Sequence, residues 1–283
     1  MKSVVITGVS TGIGWGAAKV LVAQGFRVFG SVRKQADADR LTAEFGVNFT
    51  PLIFDITDPV AVAAGAAAVR AALGGQTLFG LVNNAGVAVA GPLLYLPIEQ
   101  FRQQIEVNLT GVVIVTQAFG PLLGADKSLT GPPGRIVNIS SVGGKNGVPF
   151  MAPYNASKFA LEGLSESLRR ELMVFGIDVI IIAPGAVATA IWAKGEQIDL
   201  TPYRSTPYAG ALDRIVKYMT ANGAKGLKPE RLGQAIAHAL TTAKPKVRYT
   251  VAPSPLETFM TEKLPRRMVD RMIAGRLGLN APT

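Results

Sequence analysis

The sequence predicts an α/β protein: a doubly wound parallel sheet of about seven strands, with helices on both faces. Three observations predict it. Short β-branched runs alternate with helical stretches from end to end, without internal repeats or low-complexity linkers, as in a parallel sheet covered by helices. The run Ile177–Ile182 is continuously apolar, as a central parallel strand buried on both faces must be. The glycine-rich stretch Thr7–Gly14 joins a strand to a helix, at the edge where such sheets take their ligands.

The composition sets bounds on function. At 283 residues, 48% apolar and 17% charged, the chain is globular and long enough to bury a large core. There is no cysteine and one histidine, His238, so no disulfide framework, thiolate site or imidazole metal site is expected. Met1-Lys2 runs straight into the strand-like Ser3-Val4-Val5-Ile6, which is no signal peptide. No apolar run approaches the roughly 20 residues of a membrane span. The expectation is a soluble cytoplasmic protein. The net charge is +10, and residues 183–283 carry 15 Lys+Arg against 7 Asp+Glu. Such a region can meet nucleic acid or an anionic membrane. The preferred reading is a solvated basic surface that also attracts an anionic cofactor, with no nucleic-acid partner.

Ser3–Thr7 is the first strand, and the first helix runs from Ala17 to Ala23. Between them Gly8, Gly12 and Gly14 follow the spacing GxxxGxG, not the GxGxxG of the general dinucleotide fingerprint. Glycines there let backbone N–H groups approach a pyrophosphate at a helix N-terminus, where the dipole favours negative charge. A plain tight turn is the alternative. Arg27–Val32 is the second strand, and its end holds Ser31-Val32-Arg33-Lys34 where an NAD-binding unit carries an acidic residue. With no carboxylate to repel a 2′-phosphate and Arg33 able to grip one, NADP(H) is preferred over NAD. Asp37 and Asp39 lie close by, and Arg33 as a solvated loop charge is the alternative. Pro51–Phe54 is the third strand, with Asp55 at its carboxyl edge able to face an adenine. Asp58-Pro59 starts the Ala61–Leu73 helix as N-cap and first residue. Leu78–Val82 is the fourth strand, running into Asn83-Asn84-Ala85-Gly86. Small residues there let a nucleotide lie against the strand ends, while Asn amides tie neighbouring loops; an ordinary turn is the alternative.

Pro97–Leu123 reads as one long helix with Asn108 in its middle. Asn competes for backbone hydrogen bonds inside a helix, so either a local kink holding a polar group or water, or a satisfied core amide, is expected. Arg135–Ile139 is the fifth strand, Ile177–Ile182 the sixth and Val247–Val251 the last. The sixth leads into Ala183-Pro184-Gly185-Ala186-Val187-Ala188-Thr189, a corner that can close over a nicotinamide and its phosphate. Residues 189–225 read as a substrate lid with a helical stretch at Tyr208–Thr220. Pro229–Thr241 is a helix on which His238 is structural or exposed. The C-terminal segment, 253–283, contains two amphipathic stretches, Leu256–Leu264 and Met268–Leu277, with Arg266, Arg267, Arg271 and Arg276 among apolar residues. They cover the substrate cleft and a subunit contact, or they rest on an anionic bilayer surface; the first is preferred.

The chemistry centres on Tyr154-Asn155-Ala156-Ser157-Lys158, on a helix that Pro153 is placed to begin. Tyr and Lys four residues apart share a helix face, and an ammonium beside a phenol is expected to lower its pKa towards neutrality. Ser141, thirteen residues upstream and after a strand, supplies a hydroxyl able to hold the same substrate oxygen.

Together these pieces resemble the short-chain dehydrogenase/reductase family. The matched motifs are TGVSTGIG at Thr7–Gly14, Asp55, NNAG at Asn83–Gly86, Asn108, Ser141, YNASK at Tyr154–Lys158 and PGAVAT at Pro184–Thr189, in the family's order and spacing across the first two-thirds of the chain. The resemblance implies a single Rossmann-type domain over residues 1–283, usually a homodimer or homotetramer. It also implies hydride exchange between a nicotinamide and an alcohol or carbonyl. It makes Tyr154 the acid/base, with Ser141 polarising the substrate oxygen and Ser140 its rival for that role. Lys158 binds nicotinamide ribose and Asn108 holds a water in a proton relay. Cofactor contacts are implied for Thr7, Gly8, Ser10, Thr11, Gly12, Ile13 and Gly14 in the first turn, with Thr11 and Arg33 on the 2′-phosphate. They are implied too for Asp55 and Ile56, for Asn83, Ala85 and Gly86, and for Val107. At the far side Tyr154 and Lys158 join Pro184, Gly185, Val187 and Thr189. Tyr249–Leu264 is similar to the tails of the retinol and hydroxysteroid dehydrogenase branch, which implies a hydrophobic secondary alcohol or ketone, steroid- or retinoid-like. Reduction of a 3-oxoacyl thioester or small ketone is the alternative within that chemistry. A silent dinucleotide-sensing binding protein is the alternative outside it.

Overall fold

The structure, a computed structural model, describes residues 1–188, 200–224, 226–254 and 263–280. Its sheet has seven strands: β1 (Ser3–Ile6), β2 (Arg27–Val32), β3 (Phe49–Ile53), β4 (Gly80–Asn83), β5 (Arg135–Ile139), β6 (Asp178–Pro184) and β7 (Arg248–Val251). They lie in the order β3-β2-β1-β4-β5-β6-β7, and every pairing is parallel. The helices are α1 (Gly12–Ala23), α2 (Gln35–Phe45), α3 (Pro59–Leu73), α4 (Ile98–Ile105), α5 (Gly111–Phe119), α6 (Ala152–Glu171), α7 (Ala209–Ala224), α8 (Pro229–Thr241) and α9 (Arg266–Leu277). The expected Rossmann-type sheet is present, with strand ends within a few residues of those read from the sequence.

Period-two alternation explains why both faces need covering. Val4 and Ile6 point to one side and pack with Ala17, Leu21, Leu232 and Ile236 of α1 and α8. Val5 between them points to the other side, where Val62, Val69, Val115 and Phe119 of α3 and α5 meet it. A third, smaller cluster gathers Phe150, Tyr203, Leu212, Ile215 and Leu277 beyond the carboxyl edge of the sheet.

Local signals set the ends of several elements. Asp58 Oδ1 accepts from the amides of Val60 and Ala61, each at 3.0 Å, with Pro59 as first residue, so α3 starts where the sequence places it. Ile98–Leu123 is continuous over 26 residues but not one α-helix: a π-turn at Glu106–Thr110 separates α4 from α5, with Asn108 inside it. Contrary to the sequence reading, this helix is long and apolar enough to cross a membrane by length and composition alone. Its Val112, Val115, Phe119, Leu122 and Leu123 are buried against the sheet. Thr189 and the start of the lid, with Ile191 and Trp192, lie outside the described residues, as does most of Leu256–Leu264. His238 is exposed and meets the Tyr249 ring edge-on at 5.7 Å, the surface role expected of it.

The chain winds outward from β1 to β3 and returns to β4 on the other side of β1, so the loops leaving β1 and β4 diverge and open a crevice. Helix α1 is fixed beside that crevice by backbone contact with α8. A Cβ on Gly16 would lie 2.5 Å from the Pro229 carbonyl carbon, and one on Gly233 2.5 Å from the Gly16 carbonyl oxygen. Gly233→Ala should therefore push the two helices apart and destabilise the protein by about 1–3 kcal/mol, read from the urea unfolding midpoint. An unchanged midpoint would show that the contact yields freely.

Candidate active site

The loop between β1 and α1 is bent by Gly8 and Gly12, at φ +70 and +64, where a side chain would strain the backbone. Gly14 is required by space instead: its Cβ would lie 2.2 Å from the Gly8 carbonyl oxygen. The loop is tied to the end of β4. Asn84 Nδ2 donates to the Thr7 and Gly8 carbonyls at 2.8 and 3.0 Å. Thr7 Oγ1 accepts from the amides of Asn84 and Ala85 at 2.9 and 3.0 Å. The Gly8 amide donates to Ser31 Oγ at 3.0 Å. Thr11 precedes α1 in extended backbone and makes no side-chain cap bond, and no acidic residue stands in the first turn. That leaves the first amides of α1 without a side-chain acceptor beside a cradle that a Cβ would fill, which fits a pyrophosphate.

Beside the loop, Arg33 is exposed and its Nη1 stands 3.7 Å from Asp55 Oδ2. Burial pushes the Asp55 carboxyl up, but bonds from Thr57 and the Arg33 guanidinium outweigh it and hold the group below its ordinary value. Arg40 of α2 was not singled out in the sequence; its Nη2 donates to the Ser10 carbonyl at 2.7 Å and sits 3.2 Å from Asp37. Asn83, grouped with the cofactor contacts, instead turns its amide into the core. There Nδ2 donates to Asn138 Oδ1 at 2.8 Å and Thr116 Oγ1 at 3.1 Å. Ile56 is buried under Gly111, and Val107 packs on the same apolar layer.

Two side chains of the π-interrupted helix hold the irregular stretch after β4. Asn108 Oδ1 accepts from Val87 N at 2.9 Å, and its Nδ2 donates to Val87 O at 3.0 Å and Ser157 Oγ at 3.2 Å. Gln104, fully buried, likewise accepts from Val89 N at 2.7 Å and donates to Val87 O at 2.8 Å. Both expectations for Asn108 are met at once: the helix is locally distorted, and the amide is satisfied.

Across the crevice, the structure separates the two serines at the end of β5. Ser141 Oγ accepts from Gly143 N at 3.0 Å, and it lies close enough to the Tyr154 phenol to pull its pKa down. Ser140 Oγ turns the other way and donates to Glu162 Oε1 at 2.7 Å. Asn155 joins the Ser141 loop to α6: Nδ2 donates to the Gly143 carbonyl at 2.8 Å, and Oδ1 accepts from Val148 N at 2.9 Å. Lys158 is buried; its Nζ donates to the Ile139 carbonyl at 2.8 Å and stands 5.8 Å from the Tyr154 ring centroid.

One electrostatic expectation is overturned. Burial raises the Tyr154 phenol above its ordinary value, and only the Ser141 bond pulls it back; no lowering by Lys158 enters. The cation loses instead. Desolvation lowers Lys158 to about 8, with the Glu162 charge opposing it. Sharing a helix face was not enough, because the lysine reaches past the phenol to a strand-end carbonyl.

At the far side Pro184-Gly185 packs against β7, with Gly185 N bonded to Val251 O at 2.9 Å, and buried Val187 bridges to Leu227. Before α6, an apolar pocket is lined by Ala90, Gly91, Pro149, Phe150, Met151, Leu200, Leu212, Ile215 and Val216. Phe150 has φ +66 and is buried, a conformation costing about 1–3 kcal/mol unless packing holds it. Its ring meets Tyr208 edge-on at 5.6 Å, and its carbonyl accepts from Gly91 N.

Comparison with known proteins agrees with this arrangement. The family model described as short chain dehydrogenase matches residues 2–198. The NADPH-dependent 3-dehydrocapnine reductase of Ornithobacterium rhinotracheale is 39% identical over 273 residues, covering 96% of each chain. The 17-beta-hydroxysteroid dehydrogenase type 6 of Bos taurus is 32% identical over 262 residues, covering 88% of this chain and 80% of the relative. Among solved structures, the 3-ketoacyl-(acyl-carrier-protein) reductase of Brucella melitensis complexed with NADH superposes with a TM-score of 0.71 at 26% identity, covering 89% of this chain and 96% of that one.

The titration of Lys158 carries a prediction. Its folded value near 8 lies below the ordinary 10.5, so between these pH values the unfolded chain binds more protons and stability rises with pH. Relative to Lys158→Met, the wild type should gain about 3 kcal/mol from pH 7 to pH 10.5 in urea unfolding. Parallel pH slopes for the two proteins would contradict the assignment.

Proposed function

The chain belongs to the short-chain dehydrogenase family, and from that premise we propose that it is an NADPH-dependent reductase of hydrophobic ketones. The observation that carries the reading is the placement of Tyr154 beside Ser141, on the helix that follows the apolar pocket wall. The phenol holds its proton at neutral pH, as the reducing direction needs; burial makes it a weaker acid, so the charge developing on the substrate oxygen has to draw the proton across.

The dinucleotide would lie from the α1 N-terminus to Lys158, held by the Gly8–Gly14 loop, and a bound nicotinamide supplies the hydride. The rest is done by this chain. Ser141 Oγ accepts from Gly143 N, and its O–H can turn from the Tyr154 phenol to a substrate oxygen. Tyr154 gives its proton to that oxygen as charge develops there, and fixed donors meet the charge without reorganising. Lys158 places a cation behind the phenol as it becomes phenolate. Asn108 and Gln104 hold the Val87–Val89 wall in place. The apolar wall beside Phe150 is where the apolar body of the ketone would lie; the cavity there is about 20 Å³ and has to widen to admit it.

The relative named for 3-dehydrocapnine supports reduction of a ketone with NADPH, and the steroid dehydrogenase supports a bulky apolar substrate. The second reading, a 3-oxoacyl thioester, is favoured by the Brucella melitensis structure. Arg33 and Arg40 flank the Ser10 turn and are the cations available to a 2′-phosphate.

Following reduced-nicotinamide absorbance with steroid ketones, long alkyl ketones and 3-oxoacyl thioesters separates these substrates. For Tyr154→Phe we expect turnover to fall about a hundredfold or more with NADPH affinity kept; unchanged turnover would refute the proton-donor role. For Arg33→Ala the affinity ratio should move towards NADH, and an unchanged ratio would assign Arg33 to the solvent.

A further inference from the structure

We propose that Glu162 is a positioning residue for Lys158 and the Ser141 loop, held in place by Ser140 and by Arg248 of the edge strand β7. The inference rests on the reading of Tyr154, Ser141 and Lys158 given above. Glu162 lies one turn beyond Lys158 on α6, and its carboxylate is engaged from three other directions. Ser140 Oγ donates to Oε1 at 2.7 Å. Arg248 Nε donates to Oε1 and Oε2 at 3.2 and 3.0 Å, and this pair is nearly buried, each side chain 13% exposed. The turn after Ser141 closes over the same group: a Cβ on Gly144 would lie 2.7 Å from Ser140 Oγ and 3.1 Å from Glu162 Oε1. One carboxylate thus joins the end of β5, the Ser141 turn, the helix of Tyr154 and Lys158, and the last strand of the sheet.

A surface ion pair would contribute little. A nearly buried one has given up solvation on both sides, and removing one partner leaves the other charge uncompensated. Its position explains what it does. Glu162 is the one charge that raises Lys158 against desolvation. The charged groups facing Glu162 are Lys158 on its own helix and Arg248 on β7. The other charges on packed elements point elsewhere: Lys145 at the end of the Ser141 turn is exposed, as are Glu99, Arg102 and Glu106 on the α4 side, and Glu166 pairs with Arg170. Without the Glu162 charge, Lys158 holds its proton less firmly, and the cation behind the Tyr154 phenol is lost at lower pH.

The test is the pH profile of ketone reduction at saturating NADPH for the full chain. In Glu162→Gln the alkaline limb of kcat should move down by about one pH unit, so that activity at pH 8.5 falls several-fold more than at pH 6.5, while KM for the ketone changes little. Glu162→Asp should restore part of the limb. Because Glu162→Gln takes the opposing carboxylate away from Arg248, the double variant Glu162→Gln/Arg248→Met removes both charges; it should fold better, checked by its unfolding midpoint, and its limb should move less, since the opposing Arg248 charge is gone as well. An alkaline limb at the wild-type position in folded Glu162→Gln, or a loss equal at all pH values, would overturn the role. Tyr154→Phe, run alongside, keeps the two readings apart. If it abolishes turnover while the Glu162 variants leave the limb in place, this inference alone fails; if it leaves turnover intact, the active-site reading fails with it.

Discussion

The hydrogen bond from Lys158 Nζ to the Ile139 carbonyl, 2.8 Å long, is the contact on which the site depends. It joins the catalytic helix to the last residue of a central strand, where the parallel ladder has run out and a carbonyl is left to satisfy. Burying an ammonium is unfavourable unless it is paired or hydrogen-bonded, so this bond fixes the rotation of α6 about its axis. Once that rotation is fixed, Tyr154 one turn earlier faces Ser141, and Glu162 one turn later faces Ser140.

A second constraint recurs around the crevice. The loops at the carboxyl edge are irregular, and their peptide groups cannot all find partners in the sheet. Side-chain amides take over that task, because each offers a donor and an acceptor in the geometry of a peptide. Asn84 serves the first glycine loop, Gln104 and Asn108 the Val87–Val89 wall, and Asn155 the turn after Ser141. Deeper down, Asn83, Asn138, Thr116 and Ser165 form a buried chain of bonds between β4, β5, α5 and α6. Asn83 Oδ1 is left without a partner here, but the bonds that are made favour this arrangement, since another would strand more donors and acceptors away from water. The edge of the sheet is therefore rigid where a dinucleotide would be gripped, while the pocket near Phe150 is built from apolar contacts alone.

These two halves divide the chemistry. The half made by β1, β2, α1 and α2 presents backbone amides and the guanidinium groups of Arg33 and Arg40, suited to an anion. The half made by Phe150, Tyr203, Leu212 and Ile215 presents apolar side chains. Tyr154 stands at their boundary, where desolvation disfavours its phenolate form. The same desolvation disfavours both charged forms, the Lys158 ammonium and the Tyr154 phenolate.

The sequence by itself determined the alternation of strands and helices, the glycine turn, the Asp58 cap and the grouping of Ser141, Tyr154 and Lys158. These follow from periodicity and fixed spacing, which are local and survive in one dimension. It also marked Asn108 as out of place in a helix, which the π-turn accounts for. What it could not decide were the directions of side chains whose partners lie far along the chain. Ser140 and Ser141 are neighbours of the same type, and only the distant Glu162 and Tyr154 distinguish them. Adjacent Asn83 and Asn84 likewise point to the core and to the loop because strand residues alternate faces. The sign of the Tyr154 shift was misread because spacing places a cation on the same helix face but says nothing of how much water is removed. Burial belongs to the tertiary structure, and it set both pKa values.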